Sequence, residues 1–272
     1  MAAMAYRGRV LRWIYNAYIL IFLIYLVAPL AAAAVFAFND SMFPTLPWRG
    51  FTLDWFLSDS GDKIGMFYDE RLMSGLWTSL FIGLIVSTLA VIVGTTNSFL
   101  FERRDFRGKE LCYVLMIMPL VIPGVIIGIS LLVFASSIAN TAQDSISLQL
   151  GSLRPGIPLI VIGQFAFITT ITSLIISARL RKFDPALEEA ALNLGATRAR
   201  VIATVTLPFL RPALIAGFLV AFLVSFENFN TTLMLAGSDA PLVITMYDRI
   251  AKVGSTPVLN AVSLFLMIVS GL

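Results

Sequence analysis

Six apolar runs, at 15–38, 74–100, 111–138, 157–178, 207–236 and 256–272, decide what this chain can fold into, because together they carry only two charged side chains, Arg211 and Glu227. A bilayer core of about 30 Å is crossed by about 20 helical residues at 1.5 Å each, so the first five runs are long enough to span one. The sixth is still apolar at Leu272 and has no polar exit, so the natural span is expected to continue past it. Charged residues make up 13% of the chain and hydrophobic ones 58%. Soluble domains carry roughly 25% charged residues, so this chain has too little polar surface to cover a water-soluble globule. The fold class expected is an all-α integral membrane protein with six transmembrane helices in a single domain over 1–272.

The distribution of positive charge sets the orientation. Thirteen of the 19 Lys and Arg residues lie before run 1, between runs 2 and 3, or from the end of run 4 to Arg211 near the start of run 5, and six lie in the other connections. The richer side is assigned to the cytoplasm, which puts the N-terminus inside and, after six spans, the C-terminus too. Run 1 follows three arginines but is longer than the 7–15 residues of a signal-peptide core, and it reads as a retained span. The external segment 39–73 is polar and acidic, with two prolines and two tryptophans, and is expected to form a structured loop.

Several chemistries are excluded early. The chain has no histidine, which removes His-based metal sites and Ser-His or Cys-His catalysis. The single cysteine, Cys112, rules out an internal disulfide. There is no G-x-x-x-x-G-K-[ST] phosphate loop, so the chain is not expected to bind or hydrolyse ATP itself. The net charge of +3 is modest, and no nucleic-acid partner is expected.

The connection between runs 4 and 5 is the most informative stretch. Asp184 followed by Pro185 is a helix start, with a side-chain acceptor at the N-cap and a proline at N1. Glu188 and Glu189 then fall near the positive end of the helix dipole. Leu187, Ala190, Ala191 and Leu194 follow the i, i+3, i+4, i+7 spacing of one apolar stripe. Gly195 is placed to end this short helix, Thr197 to cap a second one, and Leu207-Pro208 to mark the turn into run 5. By periodicity alone, an amphipathic helix lying on the membrane and a helix that docks a partner fit equally well.

The order Glu189-Ala190-Ala191, three residues, Gly195, nine residues, Val205, one residue, Leu207-Pro208 resembles the EAA loop of permease subunits of ABC importers. The segments APLAAAAVFAFND, PLVIPGVIIGISLL and SFENFNTTLMLAG extend the resemblance to the spermidine/putrescine-type permeases over nearly the whole chain. That resemblance implies a type I importer fold in a bacterial inner membrane. Segment 184–208 would be the coupling helix, with Glu188, Glu189, Ala190, Ala191, Leu194, Gly195, Ala196 and Pro208 as its contact and turn residues. It also implies a second permease subunit, often a paralogue, two copies of an ATPase that bind ATP and magnesium, and a periplasmic solute-binding protein.

Two positions depart from that family. An acidic residue often follows the span-3 proline, where this chain has Pro123-Gly124. The run-5 motif is often Ser-x-Asp-Asp, where this chain has Ser225-Phe226-Glu227-Asn228. One carboxylate is gone and one has become an amide, which leaves the solute open between a polyamine and a related amine or amino-acid-like compound. A charge in hydrocarbon is costly and usually faces a cavity or the bundle interior. Glu227, Asn228 and Asn230 are therefore candidates to line a translocation path, and helix–helix hydrogen bonding is the other role that fits them. Pro123 and Gly124 are expected to break or kink their helix beside that path, or to kink it for packing alone. Tyr247, Asp248 and Arg249 read as an external connection, either touching a binding protein or forming a solvated loop. An ion-coupled secondary transporter remains the alternative, and a membrane scaffold or receptor a weaker one; neither requires the EAA spacing.

Overall fold

The computed structural model describes residues 2–59, 63–146 and 149–271. Their secondary structure is helical: α1 (Ala2–Phe36), α2 (Asp54–Leu57), α3 (Glu70–Arg103), α4 (Lys109–Val121), α5 (Gly124–Ile146), α6 (Ile157–Leu180), α7 (Ala186–Asn193), α8 (Arg198–Val201), α9 (Leu207–Phe226), α10 (Asn230–Leu235), α11 (Leu242–Val253) and α12 (Pro257–Gly271). Five helical stretches are long and apolar enough to cross a membrane: Leu11–Phe36, Glu70–Arg103, Gly124–Ser145, Ile157–Leu180 and Arg198–Phe226. A sixth apolar helix, Pro257–Ser270, is shorter.

Two apolar runs read from the sequence as single spans are each divided in two. In 111–138 the helix stops at Val121, and Ile122 turns to an extended conformation (φ −78°, ψ 127°). The cause is Pro123, whose ring disfavours the helical conformation in the residue before it. In 207–236 the helix stops at Phe226 and resumes at Asn230. Here a side chain displaces the backbone ladder. The Asn228 amide oxygen accepts from the Thr232 N–H (3.3 Å), which a continuous helix would give to the Asn228 carbonyl, and from the Thr232 hydroxyl (3.1 Å). The expected turn at Leu207-Pro208 is likewise absent. The helix is continuous from Arg198 to Phe226 and widens into one π turn over Ile202–Thr206. Pro208 lacks an N–H and would crowd the carbonyl four residues back, and the widened turn just before it relieves that conflict.

The chain divides into two compact units, one made of the stretches up to Met73 and from Met246, the other of Ser74–Thr245. In the first, α1 packs on α12. Most side chains of α1 from Leu11 to Val35 are exposed. The segment that follows α1 is organised around Asn39, which is fully buried. Its amide donates to the Thr45 carbonyl (3.1 Å) and accepts from the Arg49 N–H (3.0 Å), while its own carbonyl accepts from the Trp55 indole (2.9 Å). Phe38 stacks on Phe51, and Lys63 pairs with Asp40 and Asp54. The hydrogen bond to Asp40 raises the Lys63 pKa above its ordinary value. The expected loop at 247–249 is instead part of a helix, α11, in which Arg249 pairs with the nearly buried Asp69 at 2.5 Å and Lys252 with Asp248 at 2.7 Å.

In the second unit α6 is the central element, with Leu159, Ile160, Ile168 and Ile176 fully buried. Small residues let α3 approach it closely: a Cβ on Gly94 would stand 3.0 Å from the Ser173 nitrogen. Hydroxyls hydrogen-bond across the seam, Thr172 to the Ala90 carbonyl (2.8 Å) and Ser98 to the Ser173 carbonyl (3.0 Å). Membrane helices associate through such close, hydrogen-bonded contacts because lipid gives them no hydrophobic driving force. On its other side α6 runs antiparallel to α9, with Arg179 donating to the Phe209 carbonyl (3.3 Å) and Gln164 bonded to Ser225.

Candidate functional site

The two helix breaks meet. A Cβ placed on Gly124, the first residue of α5, would stand 2.9 Å from the Thr231 hydroxyl and 3.3 Å from the Asn230 Cβ. A Cβ on Gly128, one turn further on, would stand 2.8 Å from the Thr231 carbonyl. Glycine at both positions lets the start of α5 lie directly on α10. The structure thus brings Gly124, which follows Pro123, onto Asn230 and Thr231 far along the sequence, and Asn228 lies in the break just before them with Glu227 at the end of α9. Glu227 and Asn230 are exposed and Asn228 is half-buried. Glu227 is not inside a continuous helix, as the sequence suggested, but at its last turn, where its N–H bonds to the Leu223 carbonyl (3.0 Å).

Behind the breaks lies a residue the sequence reading did not single out. Gln164 is 1% exposed, seven residues into α6, or about 10 Å along its axis. Its amide nitrogen donates to the Thr232 hydroxyl (2.8 Å) and its oxygen accepts from the Ser225 hydroxyl. One side chain therefore ties the end of α9 to the start of α10 across the gap. A signal was present: Gln164 is the only amide in the run 157–178, and a polar group in a membrane span is expected to hold a partner or a path. Beside it, the buried Thr231 hydroxyl has no hydrogen-bond partner among the described residues.

The second cluster lies at the opposite end of α6. The Asp184 carboxylate accepts from the Ala186 N–H (3.0 Å) and so caps α7. Gly195 adopts φ +86°, a left-handed conformation that other residues avoid. The Ala196 N–H returns to the Ala191 carbonyl (3.2 Å) and the Gly195 N–H to the Leu192 carbonyl (2.9 Å), the two bonds of a Schellman turn. Thr197 then caps α8, accepting from the Arg200 N–H. Helix α7 buries no residue; Leu187 and Ala190 are exposed, Ala191 and Ala196 half-buried, and Leu194 is 89% exposed. Pro208 lies in the first turn of α9, just past the π turn.

The two carboxylates of α7 differ. Glu189 is exposed, and its carboxylate has no hydrogen bond or ion pair among the described residues. Glu188 is turned towards the chain: both its oxygens lie 3.4 Å from Arg103 at the end of α3, and one accepts from the Thr206 hydroxyl at 2.6 Å. The Arg103 guanidinium also covers the Phe183 ring at 5.2 Å. Nearby, Arg181 pairs with Glu102 at 2.8 Å, and that hydrogen bond raises the Arg181 pKa further above its ordinary value.

Comparison with known proteins fits these observations. The model of a family described as "Binding-protein-dependent transport system inner membrane component" matches residues 94–272. The putrescine transport system permease protein PotI of Escherichia coli is 30% identical over 244 residues, covering 89% of this chain and 82% of that protein. The spermidine/putrescine transport system permease protein PotC of Haemophilus influenzae is 25% identical over 255 residues, covering 94% and 91%. Among solved structures, a bacterial ABC transporter involved in the import of alginate, an acidic polysaccharide, matches with a TM-score of 0.73 over 97% of this chain and 91% of that chain. Its identity is 19%, so this likeness speaks to the fold alone. Permease subunits of this kind are not enzymes, and ATP is hydrolysed by a separate subunit. The chain belongs to the binding-protein-dependent transport system inner membrane component family, as a permease subunit of an ABC importer of the spermidine/putrescine type.

Proposed function

We propose that this chain forms part of the membrane path for a small amine, a polyamine such as putrescine or a related amino-acid-like compound, delivered by a periplasmic binding protein. The observation that carries the reading is the meeting of the two breaks, where Gly124 lies on Asn230 and Thr231, with Glu227 and Asn228 in the turn that leads from α9 into α10. Non-helical backbone within a membrane is tolerated where it is buried in protein or lines a cavity. Glu227 supplies one negative charge for a cationic solute, and two similar permeases are named for putrescine.

In this reading the chain crosses the membrane six times, through α1, α3, α4–α5, α6, α9–α10 and α12, with both termini in the cytoplasm. The external segment 39–73 belongs to the same permease domain. A second permease, a paralogue, completes the path. Segment 184–208 is the coupling helix, docking one of two ATPase copies, which hold the ATP and magnesium, through Glu189, Ala190, Ala191 and Leu194. Gly195, Ala196 and Pro208 shape the turns on either side. ATP closes the ATPase dimer, and the path opens outward because ATP favours that conformer over the other.

The test is uptake of labelled putrescine and spermidine into proteoliposomes holding the full importer, with the binding protein outside and ATP inside. Uptake should require ATP and fall in Glu227→Gln. Uptake of both amines that is unchanged in Glu227→Gln would remove Glu227 from the path. Uptake driven by a proton gradient without ATP would return the secondary transporter to consideration.

A further inference from the structure

We infer that Glu188 is the joint through which movement of α7 reaches the membrane spans, a positioning residue inside this chain rather than a contact for the ATPase. The inference rests on the reading of α7 as the coupling helix. Helix α7 buries no side chain of its own, so packing alone gives it little grip on the bundle. The chain on its C-terminal side turns through Gly195, and the Cβ position there faces open space. A push on α7 would be absorbed at that turn unless some side chain held the helix to the spans.

Glu188 has that geometry. Its carboxylate takes two N–H donors from Arg103, the last residue of α3, and the hydroxyl of Thr206, the last residue of the π turn. Thr206 is fully buried, so its hydroxyl has no water to turn to. Three elements therefore meet on one side chain: α3, α7 and the long helix that continues into α9. The Thr206 bond, at 2.6 Å to a carboxylate, is of the short charge-assisted kind that is roughly twice as strong as a neutral one, and the 3.4 Å contacts to Arg103 add a weaker hold. The π turn adds compliance at the point where the joint attaches, since π turns interrupt the regular ladder and recur at functional sites. Adjacent residues on a helix lie about 100° apart, so Glu188 can face inward while Glu189 faces outward.

The test uses the whole importer with a cysteine at Asn230 in a Cys112→Ala background. Labelling by a maleimide is measured with and without ATP and vanadate, and co-purification of the ATPase is measured in parallel. Glu188→Gln and Thr206→Val should leave the ATPase bound but abolish the ATP-dependent change in labelling. The exchanged pair Glu188→Arg with Arg103→Glu should recover part of it. Thr206→Val keeps the residue's volume, so it reads the joint even if a charge change prevents accumulation in the membrane. An undiminished ATP response in both single variants overturns the inference. Loss of ATPase binding in Glu188→Gln also overturns it, because Glu188 would then be a docking contact. If Glu189→Gln and Leu194→Asp leave ATPase binding intact, or if the unaltered chain shows no ATP response, the coupling reading itself fails and takes the inference with it.

Discussion

Gly124 lies on Asn230, close enough that a Cβ on the glycine would come within 3.3 Å of the asparagine Cβ. The contact brings two helix interruptions to one place, although 106 residues of sequence separate them. A side chain at 124 would also meet the Thr231 hydroxyl at 2.9 Å, which a threonine rotamer change can relieve for a methyl group but not for a branched chain. Gly124→Ala should therefore be tolerated, with uptake within about twofold of normal, while Gly124→Val should separate α5 from α10 at a cost of about 1–3 kcal/mol. Thermal unfolding of the purified importer and ATP-driven uptake check this together. Equal uptake by the two variants would show that the close approach is not needed.

Gln164 holds the second break from behind. Gln164→Leu removes both the bond to Thr232 and the bond to Ser225. Interhelical hydrogen bonds in membranes contribute about 0.6–2 kcal/mol each, so the loss should be modest in unfolding measurements. The larger effect should fall on transport, because Ser225 and Thr232 flank Glu227 and the joined ends of α9 and α10 would separate. We expect the maximal uptake rate to drop several-fold while the ATPase remains bound. A variant that unfolds earlier but transports normally would reduce Gln164 to a packing role.

Gly195 tests the α7–α8 turn. Open space surrounds its Cβ position, so the penalty for a substitution comes from the backbone alone. The left-handed conformation costs an L-residue about 1–2 kcal/mol, and asparagine pays least among them. Gly195→Val should thus disturb the Schellman turn and uncouple ATP hydrolysis from uptake, with Gly195→Asn closer to normal. The ratio of solute moved to ATP hydrolysed separates the two. Unimpaired uptake in Gly195→Val would count against a coupling role for the turn.

The helical membrane architecture was legible because it depends on local properties: run length and charge scarcity act over tens of residues. The turn at Gly195 and the caps at Asp184 and Thr197 were legible for the same reason, since each is settled within a few positions. The break at Asn228 was not. An asparagine in an apolar run gives no warning that its side chain will take the backbone donor of Thr232, and that choice depends on Gln164 and Ser225 standing behind it. The partners of Glu188 were hidden likewise, because Arg103 reads as a topology anchor and Thr206 as filler until α3 and α9 are brought together. Local chemistry marked both regions, and tertiary contacts fixed what each side chain does there.

The segment between α1 and α3 offers a prediction independent of transport. Asn39→Ala would leave the Arg49 N–H and the Thr45 carbonyl without their side-chain partner, while the bond from Trp55 to the Asn39 backbone carbonyl would remain. A buried group left unsatisfied costs about 1–3 kcal/mol, so the segment should loosen as a unit rather than at one residue. Asn39→Asp keeps an acceptor for Arg49 but loses the donor to Thr45, and should fall between the two. Limited proteolysis of the purified importer should cut within 40–59 faster in Asn39→Ala, with ATPase binding unchanged. Cleavage at the normal rate would mean that the stacked Phe38 and Phe51 and the Lys63 ion pairs hold this segment without Asn39.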